Sequence, residues 1–353
     1  MPRSMRAVVI RRHGGPEVLR LEEVAVPRPG PGEILLRVEA VALNHLDIFA
    51  RQGLSGPGVP PIRLPHVSGV DIVGRVAAFG PPDGPETSLP APGQRVLVYP
   101  GISCGQCRYC RRGEPTMCPR YAIIGEHRWG GLAEYVAVPA RNVVAVPEGV
   151  APEVAAAVPA VYTTAWRGVI TVGRLRPGER VLVVGASGGL GVAQLQIALA
   201  AGATVAVTAG SEEKRRRLLE LGASVAFDSR ADWEVEVRAW TGGEGVDLAL
   251  DAVGGPTLPA TLRCLGMGGR VVLSGATGGD DLHLSVREVY QWHRRILGAP
   301  MGNWEDFLAV TRMVWAGLLH PVIHAVYPLE EIARAEREIE ERRHVGKIVI
   351  RVS

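Results

Sequence analysis

The sequence predicts an α/β chain of two domains, one β-rich and one built on a doubly wound parallel sheet. Three observations carry this. From Met5 to about Pro147, short alternating segments such as "MRAVVI", "EILLRVEAV", "QRVLVYP" and "GGLAEYVAVP" are separated by Pro/Gly-rich turns including "PRPGPGE", the pattern of half-buried strands. Beyond it, continuous apolar runs ("RVLVVG", "ATVAVTAG", "SVAFD", "VDLALDAVG", "GRVVLSGA") alternate with helical stretches such as "GVAQLQIALAAG" and "SEEKRRRLLELG", which signals a parallel sheet covered on both faces. Between the first such strand and its helix stands a glycine-rich turn, "GASGGLG".

In chain order, "APEVAAAVPAVYTTAW" switches to Ala-rich helical spacing with a proline in its first turn and marks the passage between domains. "NWEDFLAVTRMVWAGLL" is a further helix, and "VGKIVIRV" a closing strand able to rejoin the first domain. A length of 353 residues with 47% hydrophobic side chains supports two separate cores. The 39 basic and 36 acidic side chains are mixed, leaving a net +3 without a basic block, so nucleic acid is not an expected partner. No apolar run reaches the ~18 residues of a membrane span, and "MPRSMRAVVI" lacks a signal-peptide core; the expectation is a cytoplasmic protein acting on a small molecule, with no membrane partner.

Gly188, Gly189 and Gly191, with Ser187 and Leu190 between and beside them, open a helix directly after a strand. That context suits a dinucleotide: glycines let a pyrophosphate approach the backbone, and the helix N-terminus stabilises its charge. The second strand ends in Ala209, Gly210 and Ser211 rather than in an acid for the adenosine ribose, and Lys214, one of only two lysines, follows. A small neutral pocket with a cation favours NADP(H). NAD(H) stays open, with Glu212 as a ribose ligand.

Cys104, Cys107, Cys110 and Cys118 are spaced C-x2-C-x2-C-x7-C, which suits one tetrahedral zinc. A closed set of four thiolates leaves no position for substrate, so this ion stabilises structure. Cys264 stands apart as a small buried residue.

On these features the chain resembles the zinc-type medium-chain dehydrogenase/reductase superfamily over essentially its whole length. The resemblance implies a GroES-like catalytic domain formed by residues 1–155 and 299–353, carrying the four-cysteine lobe, with a Rossmann domain at 156–298 and assembly as a homodimer or homotetramer. It implies that His45 and Lys347 lie near the cofactor phosphates, Thr164 beside the nicotinamide, and Ser274, Gly275 and Ala276 at its carboxamide. Alcohol dehydrogenases of this superfamily hold a second, catalytic zinc, and here its usual ligands become Asn44, Val70 and Ala160. Leu46 stands where they place a proton-relay hydroxyl. The resemblance therefore leans towards the metal-independent quinone and enone reductases, with the Asn44 amide, a backbone N–H, the Tyr162 hydroxyl or an ordered water polarising the substrate oxygen and Asp47 an orienting acid. Two other readings stand beside it: a zinc alcohol or aldehyde dehydrogenase with substituted ligands drawn from His45, His66, Asp47 or Asp71, and a catalytically silent NADPH-binding protein.

Overall fold

The computed structural model describes residues 2–53, 61–84 and 89–353. The chain divides into two compact units, Met1–Ala160 with Ile323–Ser353, and Val161–Val322.

The first unit is organised on the strand Glu33–Ala42, whose residues are buried at seven of ten positions. One of its edges pairs antiparallel with Asp71–Phe79; the other is shared between Tyr135–Pro139 and the C-terminal strand Lys347–Arg351. Arg95–Val98, Val143–Ala145 and Ile323–Pro328 complete a seven-stranded sheet. Ile34, Leu36, Val38, Val41, Ile72 and Ile350 are closed to solvent in its core. Register decides which side chains meet at the end of this sheet. Val349 pairs with Ala42, and the Leu43 N–H donates to Ile348 O at 2.9 Å, so continuing the ladder sets Lys347 beside Asn44. Ala42 also pairs with Asp71 on the opposite side. Three strand ends thus deliver Asn44, Asp71 and Lys347 to one place.

The second unit holds six parallel strands in the order Val225–Asp228, Thr204–Ala209, Arg180–Val184, Val246–Asp251, Leu265–Leu273, Arg295–Gly298. Leu182, Ala206, Ala249 and Val271 are fully buried, which is why these strands read as continuous apolar runs. The order reverses between Arg180–Val184 and Val246–Asp251, and in open α/β sheets the crevice beyond the carboxyl ends at such a reversal receives the ligand.

The sequence reading returns to the first unit at residue 299; by contacts the first unit resumes at Ile323. The helix Trp304–Trp315 belongs to the parallel-sheet unit because Asp306 accepts from Arg167 Nη1 at 3.3 Å and from Thr171 Oγ1, while His320 N–H donates to Gln196 at 2.9 Å. Amphipathicity shows that this helix needs a partner but does not say which one.

Candidate functional site

The glycine turn joins the strand Arg180–Val184 to the helix Gly189–Ala200, with Ser187 just before its N-cap, Gly188, and Leu190 in its first turn. Thr208 on the adjacent strand clamps the turn, its Oγ1 accepting from Gly185 N–H and its carbonyl from Ala186 N–H, both at 2.9 Å. A Cβ on Gly191 would lie 2.5 Å from Ala186 Cα, so close packing of helix on turn requires glycine there. A Cβ on Gly188 would meet nothing within 4 Å. The glycine at that position therefore leaves space in front of the helix N-terminus, the space a pyrophosphate needs.

Around this turn, Asp251 is fully buried and accepts from Val253 and Gly254 N–H and from the hydroxyls of Thr257 and Thr261, fixing the loop after its strand. Ser274 Oγ is buried without a hydrogen-bond partner at the end of the next strand, where Gly275 and Ala276 follow exposed. An orphaned hydroxyl of this kind fits a cofactor carboxamide. Thr164 is nearly buried, its Oγ1 3.7 Å from Met301 Sδ. Past the strand Thr204–Ala209, Gly210 leads to Ser211, which caps the helix Glu212–Glu220 by accepting from Lys214 N–H at 3.4 Å. Two further cations converge there. Arg215 reaches Ala209 O at 3.3 Å and Asp228 at 3.0 Å, and hydrogen bonds from Arg230 hold Asp228 down at about 2. Sequence reasoning did not single out Thr208, Asp251, Arg215 or Arg230, whose roles depend on strand neighbours.

In the first unit, Cys104, Cys107, Cys110 and Cys118 bring their sulfurs within 4.8 Å of one another. A tetrahedral zinc with bonds of about 2.3 Å spaces its sulfurs about 3.8 Å apart, so the set fits one ion. Cys104 Sγ accepts from backbone N–H groups, Gln106 foremost and then Cys107, which pushes its thiol down to about 5 and favours the thiolate a metal binds. Cys118 Sγ likewise accepts from Cys104 N–H at 3.5 Å and Arg120 N–H at 3.3 Å. Among the described residues, no other group of three His, Cys, Asp or Glu side chains converges in this way.

The strand-end cluster is a different kind of site. Lys347 Nζ is buried and donates to Leu43 O at 2.7 Å, Asn44 Oδ1 at 2.6 Å and Asp71 Oδ2 at 3.0 Å. Its three hydrogens are all used inside this unit. Asn44 Nδ2 donates to Asp71 Oδ2 at 3.0 Å and to Ala42 O at 3.3 Å, so its amide is engaged on both sides. Asp71 Oδ1 accepts from Ala160 N–H at 2.7 Å. Asp47 is fully buried, with Oδ2 on Asn44 N–H and Oδ1 on Gly69 N–H, both at 2.8 Å; burial nevertheless lifts its carboxyl to about 6. His45 opens the helix His45–Gln52 half-buried, and burial together with Arg342 and Lys347 holds its imidazole below the usual value. His66 is buried with Nε2 2.9 Å from Gly125 O.

Tyr162 is the other side chain that the sequence reading offers as a donor to the substrate oxygen. It is fully buried in the parallel-sheet unit, its hydroxyl donates to Gln196 Oε1 at 3.0 Å, and burial pushes its ionisation further up. On its helix the ring faces inward, a direction that the alternation of "VYTTAW" does not reveal.

Residues 189–316 match the family described as zinc-binding dehydrogenase, and residues 30–148 the alcohol dehydrogenase GroES-like domain. The acryloyl-coenzyme A reductase of Sulfurisphaera tokodaii is 30% identical over 98% of this chain and 100% of its own. The chain belongs to the zinc-type medium-chain dehydrogenase/reductase superfamily. Within it, this dehydrogenase/reductase is also 31% identical to the quinone oxidoreductase of Lama guanicoe over 99% of this chain and 98% of that one. A solved NAD-dependent alcohol dehydrogenase superposes with a TM-score of 0.92 at 43% identity, over 99% of this chain and 100% of the other. The protein is an NAD(P)-dependent oxidoreductase of this superfamily, α/β, with a GroES-like domain and a Rossmann-like domain on a six-stranded parallel sheet. No helix among the described residues is long and apolar enough to cross a membrane.

Proposed function

We propose that this medium-chain dehydrogenase/reductase uses NADP(H) to transfer hydride to an alkene conjugated with a carbonyl, or to a quinone, without a catalytic metal, and keeps one zinc in its four-cysteine lobe as a structural ion. One observation carries the reading. Where alcohol dehydrogenases of the superfamily collect zinc ligands, the buried Lys347 ammonium is bonded to Leu43 O, Asn44 and Asp71, and Val70 and Ala160 supply no side-chain donor atom for a metal. The carboxylate nearest that position already accepts an ammonium, an amide and a backbone N–H.

NADPH, when bound, would supply hydride to the β-carbon, and negative charge would then fall on the conjugated oxygen, where this chain has to stabilise it. Of the two hydrogens on Asn44 Nδ2, the one directed at Ala42 O makes the longer bond, 3.3 Å, and is the one a substrate oxygen would take over. A single neutral donor of this kind contributes about 3 kcal/mol to the transition state. That suits a delocalised enolate better than a localised alkoxide. The neutral end of the strand Thr204–Ala209 and the cations Lys214, Arg215 and Arg230 beyond it support the 2′-phosphate of NADP(H).

The 43% identity to an NAD-dependent alcohol dehydrogenase favours a second reading, alcohol oxidation with NAD+. Steady-state assays decide between them. NADPH with an acrylate thioester, an enone or a benzoquinone is compared with NAD+ and primary alcohols, on protein whose zinc has been counted. Reduction of the conjugated acceptors at one zinc per chain is expected. Rapid alcohol oxidation with the acceptors untouched overturns the proposal.

A further inference from the structure

Reduction of a conjugated alkene needs a proton as well as a hydride. The groups already described in the GroES-like unit are poorly placed to give one: Leu46 has no hydroxyl, both oxygens of Asp47 accept backbone N–H groups, and the Lys347 hydrogens are committed. Tyr162, in the other unit, is sealed against Gln196.

Glu126 is placed differently. It lies in the turn after the strand Ala122–Ile123, with 9% of its surface exposed, and its Oε2 is 3.4 Å from His127 Nδ1. That nitrogen also accepts Ile123 N–H at 3.1 Å, which fixes it as the unprotonated nitrogen of a neutral imidazole and leaves the ring hydrogen on Nε2. The turn is held against the segment that Asp47 organises. Gly130 N–H donates to Val67 O at 2.7 Å and Gly131 N–H to Gly69 O at 2.8 Å, while Gly69 N–H donates to Asp47. Gly125 has φ +89°, and a Cβ there would lie 2.7 Å from Gly69 O, so the contact exists only with glycine at 125. The titratable groups that bear on the carboxyl are Asp47 and, at 3.4 Å, His127; His66 Nε2 holds the neighbouring Gly125 O, and the guanidinium of Arg128 bonds Glu33 at 2.8 Å. Among the described residues, no Lys or Arg acts on Glu126 to keep it ionised. Burial, and secondarily the Asp47 charge, lifts its carboxyl to about 7.

We propose that Glu126 is the acid that protonates the substrate. The inference rests on the reductase reading above. Hydride passes from C4 of NADPH to the β-carbon, which leaves NADP+, and the alkene electron pair moves onto the α-carbon and its carbonyl. The Glu126 O–H bond breaks as the α-carbon C–H bond forms. A proton from solvent then returns to the carboxylate.

The test measures kcat and KM for an acrylate thioester and NADPH against pH, for the wild type, E126Q and E126D. In the wild type kcat is expected to fall above about pH 7, as the acid ionises. E126Q, which keeps shape and removes the proton, is expected to lose 100-fold or more in kcat, to lose that alkaline limb, and to keep its KM for NADPH. E126D is expected to restore part of kcat and the limb. Wild-type kcat with an unchanged pH limb in E126Q overturns the inference while leaving the reductase reading intact. A wild type inert towards every conjugated acceptor overturns that reading, and this inference with it.

Discussion

Lys347 Nζ stands 3.0 Å from Asp71 Oδ2, with side-chain exposures of 4% and 0%. Both charges have lost their water, and each compensates the other through hydrogen bonds that also engage Asn44. Removing one partner leaves an uncompensated buried charge, which typically costs about 3–5 kcal/mol. K347M is expected to lose that much in guanidinium unfolding, and D71N to be destabilised in the same direction. The double variant K347M/D71N is expected to be more stable than the sum of the single losses allows. Strict additivity in this cycle would show that the two groups do not interact.

The four-cysteine lobe predicts one firmly held zinc per chain. Its ligands come from a segment whose regular structure is limited to the strand Gly101–Ile102 and the short helices Arg108–Arg111 and Pro115–Met117, so the ion supplies order that this local chain does not. Metal analysis of C110S is expected to return less than a tenth of the wild-type zinc. Its thermal transition should fall by several degrees, and NADPH binding, measured by fluorescence before heating, should stay within twofold.

Cofactor choice is tested at the end of the strand Thr204–Ala209. S211D keeps a helix cap, since Asp caps as well as Ser, but sets a carboxylate beside the position proposed for the 2′-phosphate. It is expected to raise the KM for NADPH at least tenfold, about 1.4 kcal/mol, while the KM for NADH falls or holds. K214A is expected to weaken NADPH alone. Equal effects on both cofactors would remove the 2′-phosphate from this site.

These experiments fall on residues of unequal legibility. The cysteines and the glycine turn each lie within one short stretch, so spacing alone brings them together, and the two-domain fold follows from local periodicity. The Lys347–Asp71 pair joins positions 276 residues apart and depends on two strand registers that no local pattern sets. Asn44 offered a free amide in the sequence; in the structure that amide is divided between Asp71, Ala42 and Lys347. Glu126 carries no motif, and its environment comes from the turn folding onto Gly69. Helix Trp304–Trp315 shows the same limit, because its apolar face is readable while the surface it packs on is not.

Assembly can be argued from an edge. The strand Arg295–Gly298 ends the six-stranded sheet with one side unpaired among the described residues, and Ile296 on it is 36% exposed. Nearby in sequence, Tyr290 and Val286 are exposed at 59% and 76%. An open, partly apolar edge templates pairing with another strand unless charge or proline blunts it; the one charged residue of this strand, Arg295, bonds back to Gly268 O at 3.0 Å, and Ile296, Leu297 and Gly298 carry no charge. A second copy of this chain, pairing edge to edge, would satisfy those backbone groups and cover the apolar side chains. Sedimentation velocity is expected to give a dimer or tetramer for the wild type. I296K replaces the exposed apolar side chain of the strand by a second charge, and Y290S removes apolar surface nearby in sequence; together they are expected to shift the distribution towards monomer while far-UV circular dichroism stays unchanged. An undiminished oligomer in I296K/Y290S would place the interface elsewhere on the molecule.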